Sequence, residues 1–297
     1  MGAVETDLLP CEVAADRAAP ALNGALGLVQ NLDIDAYHSG PGISKTGLDD
    51  IERSPAIFHG LHLDPTRPAR GGPKPGQLEG QLAHCAVLEP EMFDKRYVVG
   101  PALNRNTKAW KEFVDSTPLV AIQPDQRDTA MRQADSVRRL PEVREALARG
   151  QAETSAYWLD PITQELCRCR PDWAHPAGES GAILLDLKTC GDASPGEFRR
   201  QIARKRYHVQ DAFYSDGYGI ASGREVLAFI FVAVEAEWPY AASAVLLDDD
   251  SREAGRQAAR RNLDTYAACR SSGIWPGYSD AIEIVSLPTW ALNLEKA

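Results

Sequence analysis

Residues 182–188 (AILLDLK) are apolar enough for a buried strand, yet they contain an aspartate and a lysine. Buried charges are costly unless they are paired or carry a function. Because side chains alternate along a strand, Asp186 and Lys188 should share one face, with Leu187 on the other. An Arg-Pro-Asp sequence ends upstream at Asp172, and thirteen residues separate Asp172 from Asp186. The fold must therefore accommodate charged residues on a core strand.

We predict that a strand over residues 166–170, closed by Asp172, pairs antiparallel with the Asp186 strand through a turn at residues 178–181. This pairing would bring the two carboxylates together beside the ammonium of Lys188. Carboxylates are the ligands that Mg²⁺ and Mn²⁺ prefer, and such an ion activates water and offsets phosphate charge. Lys188 could orient or deprotonate that water, or stabilise the pentacovalent phosphate. The spacing favours a metal-dependent nuclease, although a buried Asp–Lys ion pair would also explain the tripeptide alone.

Composition limits the class of protein. The chain has 297 residues, of which 44% are hydrophobic, enough for one large domain with elaborations. No apolar stretch reaches the roughly 18 residues needed to span a bilayer, and the N-terminus lacks a signal-like pattern. We therefore expect a cytoplasmic protein that does not use a membrane. Its six cysteines form no CxxC pair, which argues against a zinc ribbon or a disulfide framework.

The net charge of −10 argues against a uniformly basic DNA-coating surface, but it allows a local basic channel. A basic cluster follows the Asp186 strand and could bind phosphates. The alternative for such a cluster is a solvated helix face. Its members are Arg199, Arg200, Arg204, Lys205 and Arg206.

Residues 1–33 are rich in alanine without periodicity, and we expect a flexible N-terminal arm. Residues 34–297 are predicted to form a single domain. Within it, helical elaborations cover 34–150, and the catalytic core combines 76–90 with 152–247.

Local patterns place the elements. Ser44 is predicted to cap a short helix that breaks at Ser54-Pro55. Residues 64–76 are predicted to be an exposed loop, and residues 101–123 to be irregular. Predicted helices cover 77–88, 124–149 with a break at Pro141, 195–217 and 250–272; predicted strands cover 154–159, 166–171, 182–188, 226–235 and 242–247.

The predicted helix over 195–217 begins with a strong signal, Ser194 followed by Pro195 and Glu197. Gln210 and Tyr214 lie one turn apart beside its core-facing stripe and could both reach a site at the sheet. Alternatively, they are half-buried boundary residues. The core-facing stripe comprises Phe198, Ile202, Val209 and Phe213.

His84 lies on the largely apolar helix over 77–88. Such a histidine is usually a satisfied core residue, but a neutral imidazole facing two carboxylates could complete a metal site. Glu79 and Glu153 are further acidic candidates with weaker support.

The element order αβββαβ, combined with PDx(13)DxK, resembles the core of the PD-(D/E)XK nuclease superfamily. Gln210 and Tyr214 match the QxxxY of its RecB-like branch. Four segments, with sequences beginning HSGPGISKTG, GQLEGQLAHC, AETSAYWLDP and YHVQDAFY, are similar to the nuclease domain of RecE-type exonucleases (exonuclease VIII). The resemblance spans roughly residues 34–290. It implies an α/β fold with a mixed central sheet flanked by helices.

The resemblance also implies roles for the matched residues. His84, Asp172 and Asp186 would ligate Mg²⁺ or Mn²⁺ together with the carbonyl of Leu187. Lys188 would be the catalytic lysine. Gln210 and Tyr214 would support the site and the DNA backbone. Separately from the resemblance, we expect a further set of residues to contact DNA: Ser44, Lys45, Arg200, Arg204, Lys205 and Arg206. One departure is the segment 77–81, where the family would have smaller residues.

The implied activity is processive 5′-to-3′ degradation of double-stranded DNA from its ends in phage or prophage recombination. The 3′ single strands left behind would be used by a RecT-like annealing protein. Relatives form rings, so a homo-oligomer such as a tetramer is expected. Two alternatives stay open: a structure- or site-specific endonuclease on the same core, and a non-catalytic DNA-binding module that kept the fold.

Overall fold

The computed structural model describes residues 26–68 and 75–292. The strands are β1 (Gly27–Val29), β2 (Tyr97–Val99), β3 (Val120–Ile122), β4 (Gln151–Ala152), β5 (Ser155–Leu159), β6 (Leu166–Cys169), β7 (Trp173–Ala177), β8 (Gly181–Cys190), β9 (Glu225–Glu235) and β10 (Ala242–Val245). The helices are α1 (Ile34–Ser39), α2 (Lys45–Arg53), α3 (Pro55–His62), α4 (Gln77–Leu88), α5 (Phe93–Arg96), α6 (Lys108–Asp115), α7 (Pro124–Arg138), α8 (Pro141–Leu147), α9 (Pro195–Arg204), α10 (Tyr207–Ser222), α11 (Asp249–Ser272) and α12 (Thr289–Leu292).

A five-stranded sheet in the order β10-β9-β8-β7-β4 forms the centre of the fold. Strands β8 and β9 run parallel, and the other neighbours in this sheet are antiparallel. A second sheet has the order β1-β5-β6, and β2 pairs with β3. The predicted α/β class with a mixed central sheet flanked by helices is confirmed.

The predicted pairing of the 166–170 strand with the Asp186 strand is wrong. Strand β6 pairs with β5 instead, and an additional strand, β7, pairs with β8. The β7 sequence WAHPA conceals this strand because a proline interrupts its apolar pattern. Pro176 is tolerated because β4 pairs only with Trp173 and Ala174, which leaves Pro176 with β8 as its one neighbour in the sheet.

Helices cover both faces of the central sheet. Leu184 of β8 packs in a core with Val209 and Phe213 of α10. Leu185 and Leu187 pack on the opposite face, in a core that includes residues of α4 and α7. Since Asp186 shares the parity of Leu184, its carboxylate faces α10.

The helix predicted over 195–217 is two helices that meet at Arg206. Arg206 has a φ of 54°, in the left-handed region, which interrupts the helical backbone between α9 and α10. Its guanidinium holds this junction, with Nε 3.4 Å from Asp49 and Nη1 3.1 Å from Glu52, while Nη2 donates to Asn262 at 2.7 Å. The predicted core stripe is nevertheless buried, at Phe198, Ile202, Val209 and Phe213.

Local predictions had mixed outcomes. Helix α4 has the predicted bounds, and Ser44 caps α2 as expected. The region 101–123 is wrong as an irregular segment, because it contains α6 and β3. Of the predicted arm over 1–33, residues 1–25 lie outside the described residues, but β1 pairs with β5, so regular structure begins before Ile34. In the predicted loop over 64–76, residues 69–74 also lie outside the described part. No helix in the described ranges is long and apolar enough to cross a membrane.

Candidate active site

Strand β8 carries Asp186 and Lys188 on one face. The Asp186 side chain is 2% exposed, and its Oδ2 contacts the ammonium of Lys188. The side-chain amide of Gln210, on α10, donates to Oδ1 of Asp186 at 2.5 Å. Helix α10 and strand β8 therefore meet through a buried carboxylate.

Asp172 precedes β7 and joins three elements. Its Oδ2 accepts the backbone N–H of Leu187 at 2.7 Å and lies 3.1 Å from Nε2 of His84, on α4. The other ring nitrogen of His84 lies 2.8 Å from the carbonyl oxygen of Gly80. Both ring nitrogens face oxygen acceptors, which suits an imidazolium that donates on both sides. The structure thus brings His84, Asp172, Asp186 and Lys188 into one site.

The charges of this site are strongly coupled. Burial would lower the pKa of His84, but the Asp172 carboxylate outweighs burial and raises it to about 9. Burial would raise the pKa of Asp172, but His84 and Lys188 hold it below its ordinary value. Burial, together with the charge of Asp172, raises the pKa of Asp186 to about 6 against the attraction of Lys188. The two carboxylates therefore differ in how readily each is ionised.

Glu153 lies at the rim of the site, whereas Glu79 does not. Nε of Arg170 is 2.7 Å from Oε2 of Glu153, and the Glu153 backbone N–H donates to the Asp172 carbonyl at 3.0 Å. Burial and the charge of Asp172 raise the pKa of Glu153 to about 7. Glu79 is exposed and accepts a hydrogen bond from Gln126. Sequence reasoning missed Arg170, although its position two residues before Asp172 and next to Pro171 was a usable signal.

The aromatic residues of α10 are also near the site. The Tyr214 ring makes an edge contact with Phe229 at 6.1 Å, and burial raises the pKa of its hydroxyl well above the ordinary value. Tyr207, which sequence reasoning did not assign to the site, has its ring centroid 4.7 Å from Nζ of Lys188. A tyrosine one turn before Gln210 was the only available sequence signal.

The predicted DNA contacts divide into two groups. Ser44 caps α2, and Lys45 bonds Asp49 at 2.6 Å and the Lys205 carbonyl at 2.9 Å, close to the site. Arg206 is half-buried in the ion pairs at the α9–α10 junction. The remaining three side chains, Arg200, Arg204 and Lys205, are exposed on α9 and just beyond it. Of these, Arg200 forms an ion pair with Glu197.

Within the described ranges, no three Asp, Glu, His or Cys side chains converge as a ready metal cage. The site carboxylates are instead turned toward protein partners, Asp172 toward His84 and Asp186 toward Lys188. The donor chemistry nevertheless fits a divalent cation, because oxygen ligands and one imidazole lie together, and His84 would release a proton when it ligates. Burial and, in addition, the charge of Asp172 raise the pKa of Asp186, and a bound cation would offset the repulsion between the two carboxylates.

Comparison with known proteins gives a consistent result. Residues 67–288 match the model of a family described as a PDDEXK-like domain of unknown function (DUF3799). A candidate exonuclease from Eubacterium rectale has a similar solved structure, with 11% sequence identity and a TM-score of 0.59, covering 89% of this chain and 97% of that one. An alkaline exonuclease from Laribacter hongkongensis is 14% identical and covers 62% of this chain and 98% of its own, but its TM-score of 0.25 is too low to compare folds. No curated protein matches the sequence.

Proposed function

Since this chain belongs to the DUF3799 family of PDDEXK-like domains, we propose that it is a metal-dependent DNA nuclease that degrades duplex DNA from its ends. The observation that carries the proposal is the joint placement of Asp172, Asp186 and Lys188, with Gln210 bonded to Asp186 and His84 to Asp172. Buried charges are costly, and a group of coupled charges of this size is more typical of a functional site than of a purely structural core.

The residues that would hold a divalent cation are His84, Asp172, Asp186 and the carbonyl of Leu187. When bound, Mg²⁺ or Mn²⁺ would supply Lewis acidity toward the phosphate and lower the pKa of a water. Lys188 places an ammonium beside this position, where it can offset charge that develops on the phosphate. Gln210 fixes the orientation of Asp186 through its amide, and the Leu187 N–H does the same for Asp172.

The finer assignment is 5′-to-3′ exonuclease activity that leaves 3′ single-stranded tails for recombination by strand annealing. It is supported by the four RecE-like segments and by the likeness of the fold to a candidate exonuclease. On the same basis we propose a homo-oligomeric ring, for example a tetramer, and a RecT-like annealing protein as partner. The exposed side chains of Arg200, Arg204 and Lys205 are proposed to contact the DNA backbone.

The test is digestion of linear blunt duplex DNA labelled separately at its 5′ and 3′ ends, with Mg²⁺ and with EDTA, beside closed circular DNA. The proposal expects early, Mg²⁺-dependent release of the 5′ label while the circle stays intact. Early release of the 3′ label would instead assign 3′-to-5′ polarity. Cutting of the circle would assign an endonuclease, and intact DNA throughout would favour a non-catalytic DNA-binding module.

A further inference from the structure

The ring of Tyr207 lies against the ammonium of Lys188, with 4.7 Å between Nζ and the ring centroid. This is within the range in which the negative face of an aromatic ring attracts a cation. Among the described residues, the other direct contact of this ammonium is the Asp186 carboxylate, while the Asp172 carboxylate attracts it from farther away. Lys188 is therefore held between one charged partner and one neutral partner.

The Tyr207 ring is itself held firmly from behind. It stacks on Phe231, with centroids 5.7 Å apart and planes 22° apart, and it also contacts Phe198 at 6.3 Å. Both phenylalanines are fully buried. The backbone is fixed at the preceding residue, Arg206, whose guanidinium is tied into the ion pairs described above. The ring is thus a rigid surface rather than a mobile side chain.

A second ammonium, that of Lys45, lies 5.7 Å from the same ring. Lys45 has its own partners, since Nζ bonds Asp49 at 2.6 Å and the carbonyl of Lys205 at 2.9 Å. Lys188 has only Asp186 in direct contact besides the ring, and both carboxylates that attract it, Asp186 and Asp172, are proposed metal ligands. When Asp186 serves a cation, the ring is the contact that can remain.

We propose that Tyr207 is a positioning residue whose ring face holds the ammonium of Lys188 beside the carboxylates. The inference rests on the proposed nuclease function. A ring suits this task because it attracts the ammonium without neutralising its charge and without competing for a metal ion. A carboxylate in the same place would do both.

Three variants separate the ring from its packing. Tyr207→Phe keeps the ring and should hold kcat for duplex cleavage within about threefold of the unmodified protein. Tyr207→Leu keeps apolar volume without a ring face and should lower kcat about tenfold, with KM for DNA little changed. The matched control is Phe58→Leu, which removes a buried ring from the same core, where it packs on Tyr266 and Trp275 rather than on Tyr207. This change should lower the melting temperature but not kcat.

Fluorinated phenylalanines at position 207 give a second measurement in proteins of nearly unchanged shape. Fluorine progressively weakens the negative ring face, so kcat should fall stepwise from phenylalanine to the most fluorinated ring. Equal kcat across this series would overturn the inference, as would wild-type kcat in Tyr207→Leu or an equal kcat loss in Phe58→Leu. If the unmodified protein cleaves no DNA with Mg²⁺, the proposed function fails instead.

Discussion

The side-chain amide of Gln210 donates a 2.5 Å hydrogen bond to Oδ1 of Asp186, and this contact joins α10 to the central strand of the site. On the other oxygen of the same carboxylate lies Lys188. Across the site, the carboxylate of Asp172 accepts a hydrogen bond from the backbone N–H of Leu187, the residue between Asp186 and Lys188. Both carboxylates are therefore oriented by donors before any ligand binds, which is the preorganisation that electrostatic catalysis requires.

Substitution of Lys188 by alanine should abolish DNA cleavage and leave folding and DNA binding largely intact. The change removes an ammonium that acts on the transition state, and we expect kcat to fall by at least about a hundredfold. Single-turnover digestion of end-labelled duplex measures it. The matched control is Lys95→Ala, which removes an exposed lysine. Cleavage by Lys188→Ala near the unmodified rate contradicts the assignment.

Gln210→Ala should weaken the response to Mg²⁺, because the donor that orients Asp186 is lost. Partners of this kind typically change metal affinity or activity by about 10- to 100-fold. Cleavage measured across Mg²⁺ concentrations, together with calorimetric titration of Mg²⁺ without DNA, reports both effects. The control is Gln257→Ala, which removes an exposed glutamine on α11. An unchanged Mg²⁺ midpoint in Gln210→Ala would show that the hydrogen bond has no role in metal binding.

Much of this site could be predicted because strand alternation and helix periodicity are local properties. The shared face of Asp186 and Lys188 and the inward side of Gln210 follow from periods of two and 3.6 residues. The PD-(D/E)XK superfamily is confirmed by the family match, while the RecE-like specificity stays a prediction.

What the sequence could not supply depends on contacts between distant segments. Strand β7 was missed because Pro176 breaks the expected pattern and only the limited length of β4 makes it acceptable. The α9–α10 break was missed because nothing in the local sequence distinguishes Arg206 from an ordinary helical arginine. Its ion pairs with Asp49 and Glu52, on α2, form only in the folded protein. The contact of Tyr207 with Lys188 was also not predicted, because its spacing to Gln210 indicates only a shared helix side and not the residue that it meets.

The metal-free protein should lose stability as the pH rises toward 9, through the His84–Asp172 pair. Burial would lower the pKa of His84, but Asp172 outweighs it and raises it to about 9, above about 6.5 in an unfolded chain. A raised histidine pKa stabilises the fold fully below the unfolded value, and the benefit is lost as pH rises through the folded value. The loss would be up to about 3 kcal/mol.

Thermal unfolding in EDTA at a series of pH values measures this loss, and His84→Gln should flatten it. Carboxyls whose pKa is raised titrate lower: burial and Asp172 raise the pKa of Glu153 to about 7 and that of Asp186 to about 6, and burial raises the pKa of Asp211 to about 6. Their stabilisation is lost as pH rises through those values. From about pH 7.5 to 9 the buried thiols, whose pKa burial raises, also cost stability. They act equally in His84→Gln, so the difference between the two proteins isolates His84. A melting temperature that stays constant or rises across that window contradicts the prediction.

Removal of charge from the exposed basic face should weaken DNA binding without affecting stability. The combined substitution of Arg200, Arg204 and Lys205 by glutamine removes three cations, so the slope of log affinity against log salt should become shallower by up to about 3. Titration of labelled duplex at several salt concentrations measures the slope. An unchanged slope would place the DNA elsewhere. Replacement of Arg252 is unsuitable as a control, because it would leave the buried carboxylate of Asp211 without this ion-pair partner.

Arg206→Ala should destabilise the protein rather than simply weaken DNA binding. Its guanidinium is 19% exposed and holds Asp49 and Glu52 at the α9–α10 junction, so truncation leaves a partly buried Asp49 without this partner. We expect the free energy of unfolding to fall by about 2 kcal/mol. Denaturant unfolding measures it, with exposed Arg204→Ala as the matched control. If Arg206→Ala keeps full stability while the salt slope of DNA binding decreases by about one, Arg206 contacts phosphate and the junction does not need its ion pairs.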